Sequence, residues 1–534
     1  MLPKQLRFLH PYLHFTGLLL MVAGLPFSLL LMSLSQFFIG GNWILEGGYK
    51  EKWERFKSNK SAWLLCGIFL MLLPGMLWTS NLNDGLKLIR INLPFLIFPF
   101  VLASTKPLKN EWYNLLLKLA VLSVFLATLA CTAFGLPRWL NGELADIRTI
   151  SIFISHIRFA LLIILIALIG MWMLVSNAIP INTYERWGLR IIITWLVVFL
   201  FILQSLTGLG ILLVLSFLWG MYRLWKKASL LKVLIILFIP ITATGIIVWQ
   251  GLEAWKRYST PDAMYLLPAP EKSPRGNNYI HDFAVLENGH YVLSYVCDTE
   301  LYSSWAKRST QHLDSLDGKG NPTRFTLIRY LNSKGLKKDQ DGVNALSDLD
   351  IRYIEKGVAN VNYTGLWGIR MRFYQLLWEL DYSKRGGNKP VGHTIMMKLE
   401  FWKNSFSLIS ENPIYGVGTG DVPDSFKAEY QKSSSWLDPE WWMTSHNHYF
   451  YITVALGFPG LICFLICFIL PIIRAPRPIY APLLAFFCIA AFSMLTEDTL
   501  TTQAGVSFVA FFYCFFLFAR PDSSISSGSS SSPD

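Results

Sequence analysis

Residues 446–473 read HNHYFYITVALGFPGLICFLICFILPII. No Asp, Glu, Lys or Arg interrupts them, and the run exceeds the ~20 apolar residues that cross a bilayer core. Similar runs lie near 62–80, 87–104, 114–136, 149–175, 188–205, 207–224, 231–250, 479–497 and 503–519. The first apolar stretch, 8–46, is too long for one crossing and contains Gly24, Pro26, Gly40 and Gly41. Composition agrees. Of 534 residues, 53% are hydrophobic and 15% charged, where an ordinary soluble domain carries about 25% charge. A disordered chain is excluded and a soluble enzyme disfavoured. The expected fold class is an all-α polytopic membrane protein of about 12 transmembrane helices with one large mixed α/β extracytoplasmic loop domain.

The net charge of +12 invites a nucleic-acid reading, which its distribution removes. From Gly251 to Ser445 there are 23 Lys and Arg against 23 Asp and Glu, and elsewhere 24 against 12. The excess lies in the membrane-rich part, where basic loops stay cytoplasmic. The densest is Lys50, Lys52, Arg55, Lys57 and Lys60. Lys4 and Arg7 precede the first stretch, and Arg223, Lys226, Lys227 and Lys232 form another loop. Both the N-terminus and 47–61 face the cytoplasm only if 8–46 crosses twice, turning near Gly24–Pro26. Nine spans then precede the polar region and three follow it. Both termini are cytoplasmic and 251–445 lies outside, with 18 of the 24 basic residues inside and Lys118 near the same side. Lys87, Arg90, Arg138, Arg148 and Arg158 fall on or toward the outside. Snorkelling at a helix end accounts for Lys87, Arg138 and Arg148. Arg158 is expected about nine residues into its span, roughly 13 Å deep, where an arginine needs a polar cavity, an anion or a structural partner.

Four regions follow. Residues 1–250 form an N-terminal membrane region, 251–445 a large periplasmic loop domain, and 446–520 a C-terminal membrane region. Residues 521–534 form a low-complexity, disordered tail. In the loop domain Tyr291–Val296 and Thr326–Leu331 read as strand-like. Residues 365–380, carrying Arg370 and Arg372, and 393–411 read as amphipathic helices. Cys297 is the only cysteine in the polar region, so no disulfide is expected there, and no Cys/His spacing suits zinc. The N-terminus has no small-residue cleavage site and reads as a retained anchor.

Four short motifs carry candidate chemistry. DLD at 348–350 could pair two carboxylates on a metal, a pattern common by chance. GVGTGD at 416–421 could turn backbone N–H groups onto a phosphate, or be a plain turn. SHNHYF at 445–450 sets His446 and His448 at a membrane mouth, as a general base or as a solvated helix cap. TEDTL at 496–500 offers Glu497 and Asp498 as counter-ions for a cavity arginine or as solvated interfacial groups.

Together the last motifs resemble the O-antigen ligase/O-antigen polymerase superfamily. ENPIYGVGTGD is similar to its Pro–Gly-rich stretch, and SHNHYFYITVALGFPGLI to its His-Asn…Gly-x-x-Gly signature, with His446, Asn447, Gly457 and Gly460 at matching spacings. SHIRF, Ser155–Phe159, resembles a motif at the outer end of a mid-chain span. The resemblance covers most of the membrane part and about 366–445, and leaves 255–360 outside. Three positions depart from it. Ala455 stands where an acidic residue is frequent, SLTGLG at 205–210 lacks the family's Arg, and Lys398 replaces an Arg.

The resemblance implies a metal-independent inverting glycosyltransferase of the inner membrane, working without a cofactor. Its donor is a glycan on undecaprenyl pyrophosphate. Its acceptor is lipid A–core in a ligase or a second lipid-linked glycan in a polymerase. Other partners are membrane lipids, and nucleic acid is not one. His446 and Arg158 are the expected catalytic pair. Arg90, Arg370, Arg372, Asn447 and His448 are the expected substrate-binding residues. A transferase to protein hydroxyls remains open. So does a flippase or other transporter, although nine spans against three do not form two similar halves.

Overall fold

A helical hairpin opens the structure. α1 (His10–Phe27) and α2 (Leu29–Glu46) turn at Ser28, whose side chain accepts from Leu31 N–H. The turn lies two residues beyond Pro26. His10 Nδ1 stands 2.8 Å from Asn42 Oδ1 and joins the far ends. The computed structural model describes residues 8–521 apart from 142, 145, 177, 226–229, 263–268, 365–368 and 385–393. At 206, 220–225, 230–241, 243, 244, 247, 369–372, 380, 382–384 and 394–395 it describes the backbone alone. The serine-rich tail from 522 onward lies outside the described residues.

The basic segment after the hairpin forms α3 (Tyr49–Ser58), with Phe56 and the stem of Lys52 buried. Then come α4 (Lys60–Leu70), α5 (Leu82–Asn92), α6 (Pro94–Ser104), α7 (Asn110–Ala130) and α8 (Leu136–Leu140). α9 (His156–Ser176) is apolar all round and the most deeply buried of the long apolar helices, as a central helix must be. α10 (Thr183–Leu203), α11 (Leu206–Trp225) and α12 (Leu230–Ser259) complete this half. After the polar region come α20 (His448–Ile473), α21 (Ala481–Thr496) and α22 (Gln503–Cys514). Among the described residues seven helices are long and apolar enough to cross a membrane, and three more apolar helices are shorter. The chain is therefore a mostly helical, multi-pass membrane protein.

The polar region contains a small unit with its own core. β1 (Ile280–Glu287) and β2 (His290–Val296) pair antiparallel through Asn288–Gly289, both at positive φ, the geometry a tight hairpin requires. α13 (Asp298–Trp305), α14 (Thr323–Ser333), α15 (Gln340–Asn344) and α16 (Asp348–Glu355) pack with this hairpin around Trp305, Leu327, Ile328 and Ile354. Thr326–Leu331, expected as a strand, lies inside α14. Leu327, Ile328 and Leu331 share one helical face toward that core, and a short apolar run does not distinguish the two periods. α17 (Ile369–Lys384) and α18 (Thr394–Glu411) occupy the two segments read as amphipathic helices, followed by α19 (Val422–Lys432). Met397, Phe401, Phe426 and Tyr430 of α18 and α19 belong to the main membrane core.

The glycine-rich segment splices into a break in α20. Pro459 has no N–H for the Ala455 carbonyl, and Gly418 N–H takes that acceptor at 2.9 Å. Val417 N–H donates to Val454 O at 2.8 Å, and Phe458 N–H turns to Pro413 O at 2.8 Å. The break sits at Gly457, with φ 67° and ψ −173°, a region that only glycine adopts readily. A Cβ there would stand 2.2 Å from Ile414 O, and one on Gly416 2.4 Å from the Ala455 carbonyl. Gly457→Ala should therefore cost roughly 1–3 kcal/mol in backbone strain plus the clash. Gly40→Ala, with open space around it, should be neutral or slightly stabilising. Thermal unfolding in detergent checks the contrast, and equal melting temperatures for the two variants would contradict the splice.

Candidate functional site

Four elements meet at one mouth of the bundle: the first turn of α9, the start of α18, the turn before α20 and the turn after α21. Asp498 binds two of them together. Its buried carboxylate accepts from Thr444 Oγ1 at 2.7 Å, Ser445 Oγ at 2.9 Å and the His446 N–H at 3.1 Å. These bonds hold His446 at φ 45°, in the left-handed region. Burial pushes the Asp498 carboxyl up, against the pull of its donors and of His446.

His446 is 30% exposed and its Nδ1 lies 3.5 Å from Glu497 Oε2. Its ring stacks on Phe401, with centroids 5.4 Å apart. Its Nε2 is 3.3 Å from Met443 Sδ, a weak partner that a hydroxyl can displace. Burial works to raise the Glu497 carboxyl. The His446 hydrogen bond and the charges of His446, Lys398 and Arg158 outweigh it and hold the group below the usual range. Lys398 donates to Thr496 O at 2.9 Å, a cation at the carboxyl end of α21, where the helix dipole favours it.

Arg158 is the third residue of α9 rather than nine residues into a span. Residues 147–150 form a separate 3-10 turn, and the helix begins only at His156. Arg158 therefore stands at the mouth, within electrostatic reach of Glu497 and Asp498. Its Nε is buried without a hydrogen-bond partner among the described residues. It lines an open cavity of about 500 Å³ with Arg148, Ser151, Ser155, Gln503 and Leu29. A cation at a helix N-terminus, with a donor unused, makes a place for an anion.

The other candidates are placed differently. Asn447 caps α20, its Oδ1 accepting from Tyr449 N–H at 3.0 Å and Phe450 N–H at 3.2 Å. His448 is buried against Tyr451 and Phe464, with neither ring nitrogen hydrogen-bonded among the described residues. Arg90 is exposed on α5 and makes no side-chain hydrogen bond or ion pair among the described residues. Arg370 and Arg372 lie on α17, and their side chains are outside the description. The N–H groups of Val417, Gly418, Thr419 and Gly420 all go to protein acceptors, so GVGTGD is a structural turn and not a phosphate cradle. Asp348 pairs with Arg308, and Asp350 with Lys334 and Tyr330. No group of three metal-ligating side chains occurs among the described residues. Lys398 and Arg148 are the mouth residues that sequence reasoning left out of the site. In the sequence Lys398 stands out only as a departure from the family pattern, and Arg148 only as a helix-end arginine able to snorkel.

Residues 364–465 match the family described as O-Antigen ligase. No curated protein matches the chain. The matched segment takes in Lys398, the glycine splice and His446, and it supports membership of the O-antigen ligase superfamily. Arg158, Glu497 and Asp498 lie outside it.

Asp498→Ala leaves the Thr444 hydroxyl and the His446 N–H without their acceptor, while Ser445 Oγ keeps the Asn447 carbonyl at 2.8 Å, and should cost about 2 kcal/mol, read as a lowered melting temperature. The depressed Glu497 carboxyl contributes stability that is present above the ordinary glutamate pKa of about 4.3. That contribution is lost as pH falls through the lower folded value. Glu497→Gln should therefore lose less stability than wild type on acidification below about pH 4.3. Parallel acid profiles for the two proteins would count against the pair.

Proposed function

We propose that the protein is an inner-membrane, O-antigen ligase-like glycosyltransferase. It moves a glycan from undecaprenyl pyrophosphate to a lipid A–core acceptor at the periplasmic face. In this reading the chain crosses twelve times with both termini cytoplasmic. The observation that carries it is the meeting of Arg158, with an unused buried donor, and His446, with its carboxylate partner, at one mouth beside an open cavity. The small α/β unit belongs to the same side. It docks on the turn that precedes α9 through Tyr353 Oη to Trp139 O at 3.4 Å and Lys356 Nζ to Glu143 O at 3.1 Å.

The chemistry needs a base and an anion hold. The acceptor hydroxyl displaces Met443 from His446 Nε2 and gives that nitrogen its proton. Glu497 steadies the resulting imidazolium from the Nδ1 side. The acceptor oxygen forms a bond to the anomeric carbon with inversion. The bond from that carbon to the pyrophosphate oxygen breaks, and the lipid pyrophosphate leaves with the electron pair. The charge gathered on it is met by the Arg158 guanidinium. Lys398 holds the carboxyl end of α21, and so Glu497, in place.

Transfer in membranes carrying both substrates tests the reading. His446→Ala at matched expression should lower transfer about 10²–10⁴-fold, with unused donor accumulating. Wild-type transfer by the variant would remove His446 from the site. Longer chains on the lipid carrier would identify a polymerase instead, and no transfer by wild type would favour a transporter.

A further inference from the structure

We propose that Arg148 is a second anion-binding arginine of the cavity that Arg158 lines, paired with Asp146 until a diphosphate displaces that carboxylate. This rests on the functional reading above and deepens it. Both arginines line the one cavity, and a diphosphate offers two phosphoryl groups, each matched to one guanidinium fork. Arg148 now grips Asp146 with Nε 2.9 Å and Nη2 2.5 Å from Oδ2, and Nε 3.1 Å from Oδ1. Both side chains are 31% exposed, and a phosphoryl group carrying more charge than one carboxylate fits the same guanidinium fork.

Asp146 does not lose its place when the pair opens. It still accepts from the Arg148 backbone N–H at 2.9 Å, and Lys319 of the small unit lies within reach of its charge. The backbone of this turn is braced on both sides. Trp139, Ile147 and Ile150 are buried, and Tyr353 and Lys356 hold the preceding carbonyls. The side chain can therefore change partners while the turn stays fixed. While Arg148 pairs with Asp146, one of the two cations is neutralised, which lowers their mutual repulsion.

The test uses the full chain in nanodiscs of neutral phosphatidylcholine, titrated with farnesyl pyrophosphate, farnesyl monophosphate and inorganic pyrophosphate. Arg148→Gln should weaken farnesyl pyrophosphate at least about tenfold and change the monophosphate much less. Arg148→Lys should fall between, which separates lost charge and fork from misfolding. Asp146→Asn keeps the backbone cap through its amide oxygen and should bind the pyrophosphate more tightly. Wild-type affinity in Arg148→Gln, with loss in Arg158→Gln, overturns the inference and leaves the functional reading standing. If inorganic pyrophosphate binds as tightly as the lipid and loses as much in Arg148→Gln, the two-arginine site holds and its ligand is a free anion. That result would count against the lipid donor. No binding of any of the three by wild type overturns both.

Discussion

A buried carboxylate outside the apolar helices organises the mouth of this protein. Asp498 takes three hydrogen bonds from the Thr444–His446 turn, and a buried charge of this kind persists only when its lone pairs are met. Through these bonds the end of α21 fixes the entry to α20. His446 is set in a left-handed conformation beside Glu497. Lys398 binds the last turn of α21 from α18, and Arg158 faces the same acids from α9. Four helices distant in sequence thus share one charge cluster. Lys398 is held by a structural acceptor, while Arg158 keeps a buried donor unused among the described residues.

The glycine splice gives the cluster its depth. A continuous helix across Pro459 would leave the Ala455 carbonyl without a donor, and the glycine-rich strand restores it. The same strand reaches back to the α4–α5 junction, where Thr419 N–H donates to Gly75 O and Asp421 accepts from Ser80 and Asn81 N–H. Glycines that look like a ligand loop in sequence are thus joints between helices. Their close approach sets how α18 and α20 present Phe401 and His446 to each other.

Much of this was legible in the residues. Run length and charge asymmetry gave a multi-pass helical chain, and Ser28 turns the first hairpin close to where Gly24 and Pro26 placed it. TEDTL reads either as counter-ions for a cavity arginine or as solvated interfacial groups; the structure buries both acids, Glu497 beside His446 and Asp498 under the Thr444–His446 turn, with Arg158 within electrostatic reach. Hydropathy does not register that 147–150 is a separate 3-10 turn and that α9 begins only at His156, so run length alone sets Arg158 too deep. Thr326–Leu331 carries β-branched and aromatic residues, yet tertiary packing on the Trp305 core makes it a helix. Arg148 pairs with its near neighbour Asp146, but the cavity it lines is completed by residues from α2 and α22, which no local pattern announces.

The most direct measurement is a cryo-electron microscopy map of the protein with a lipid-linked pyrophosphate glycan bound. The account predicts pyrophosphate density against the Arg158 guanidinium and the anomeric carbon of the first sugar on the side facing His446 Nε2. Pyrophosphate density seated elsewhere, with the Arg158 cavity empty and His446 turned from the sugar, would contradict it.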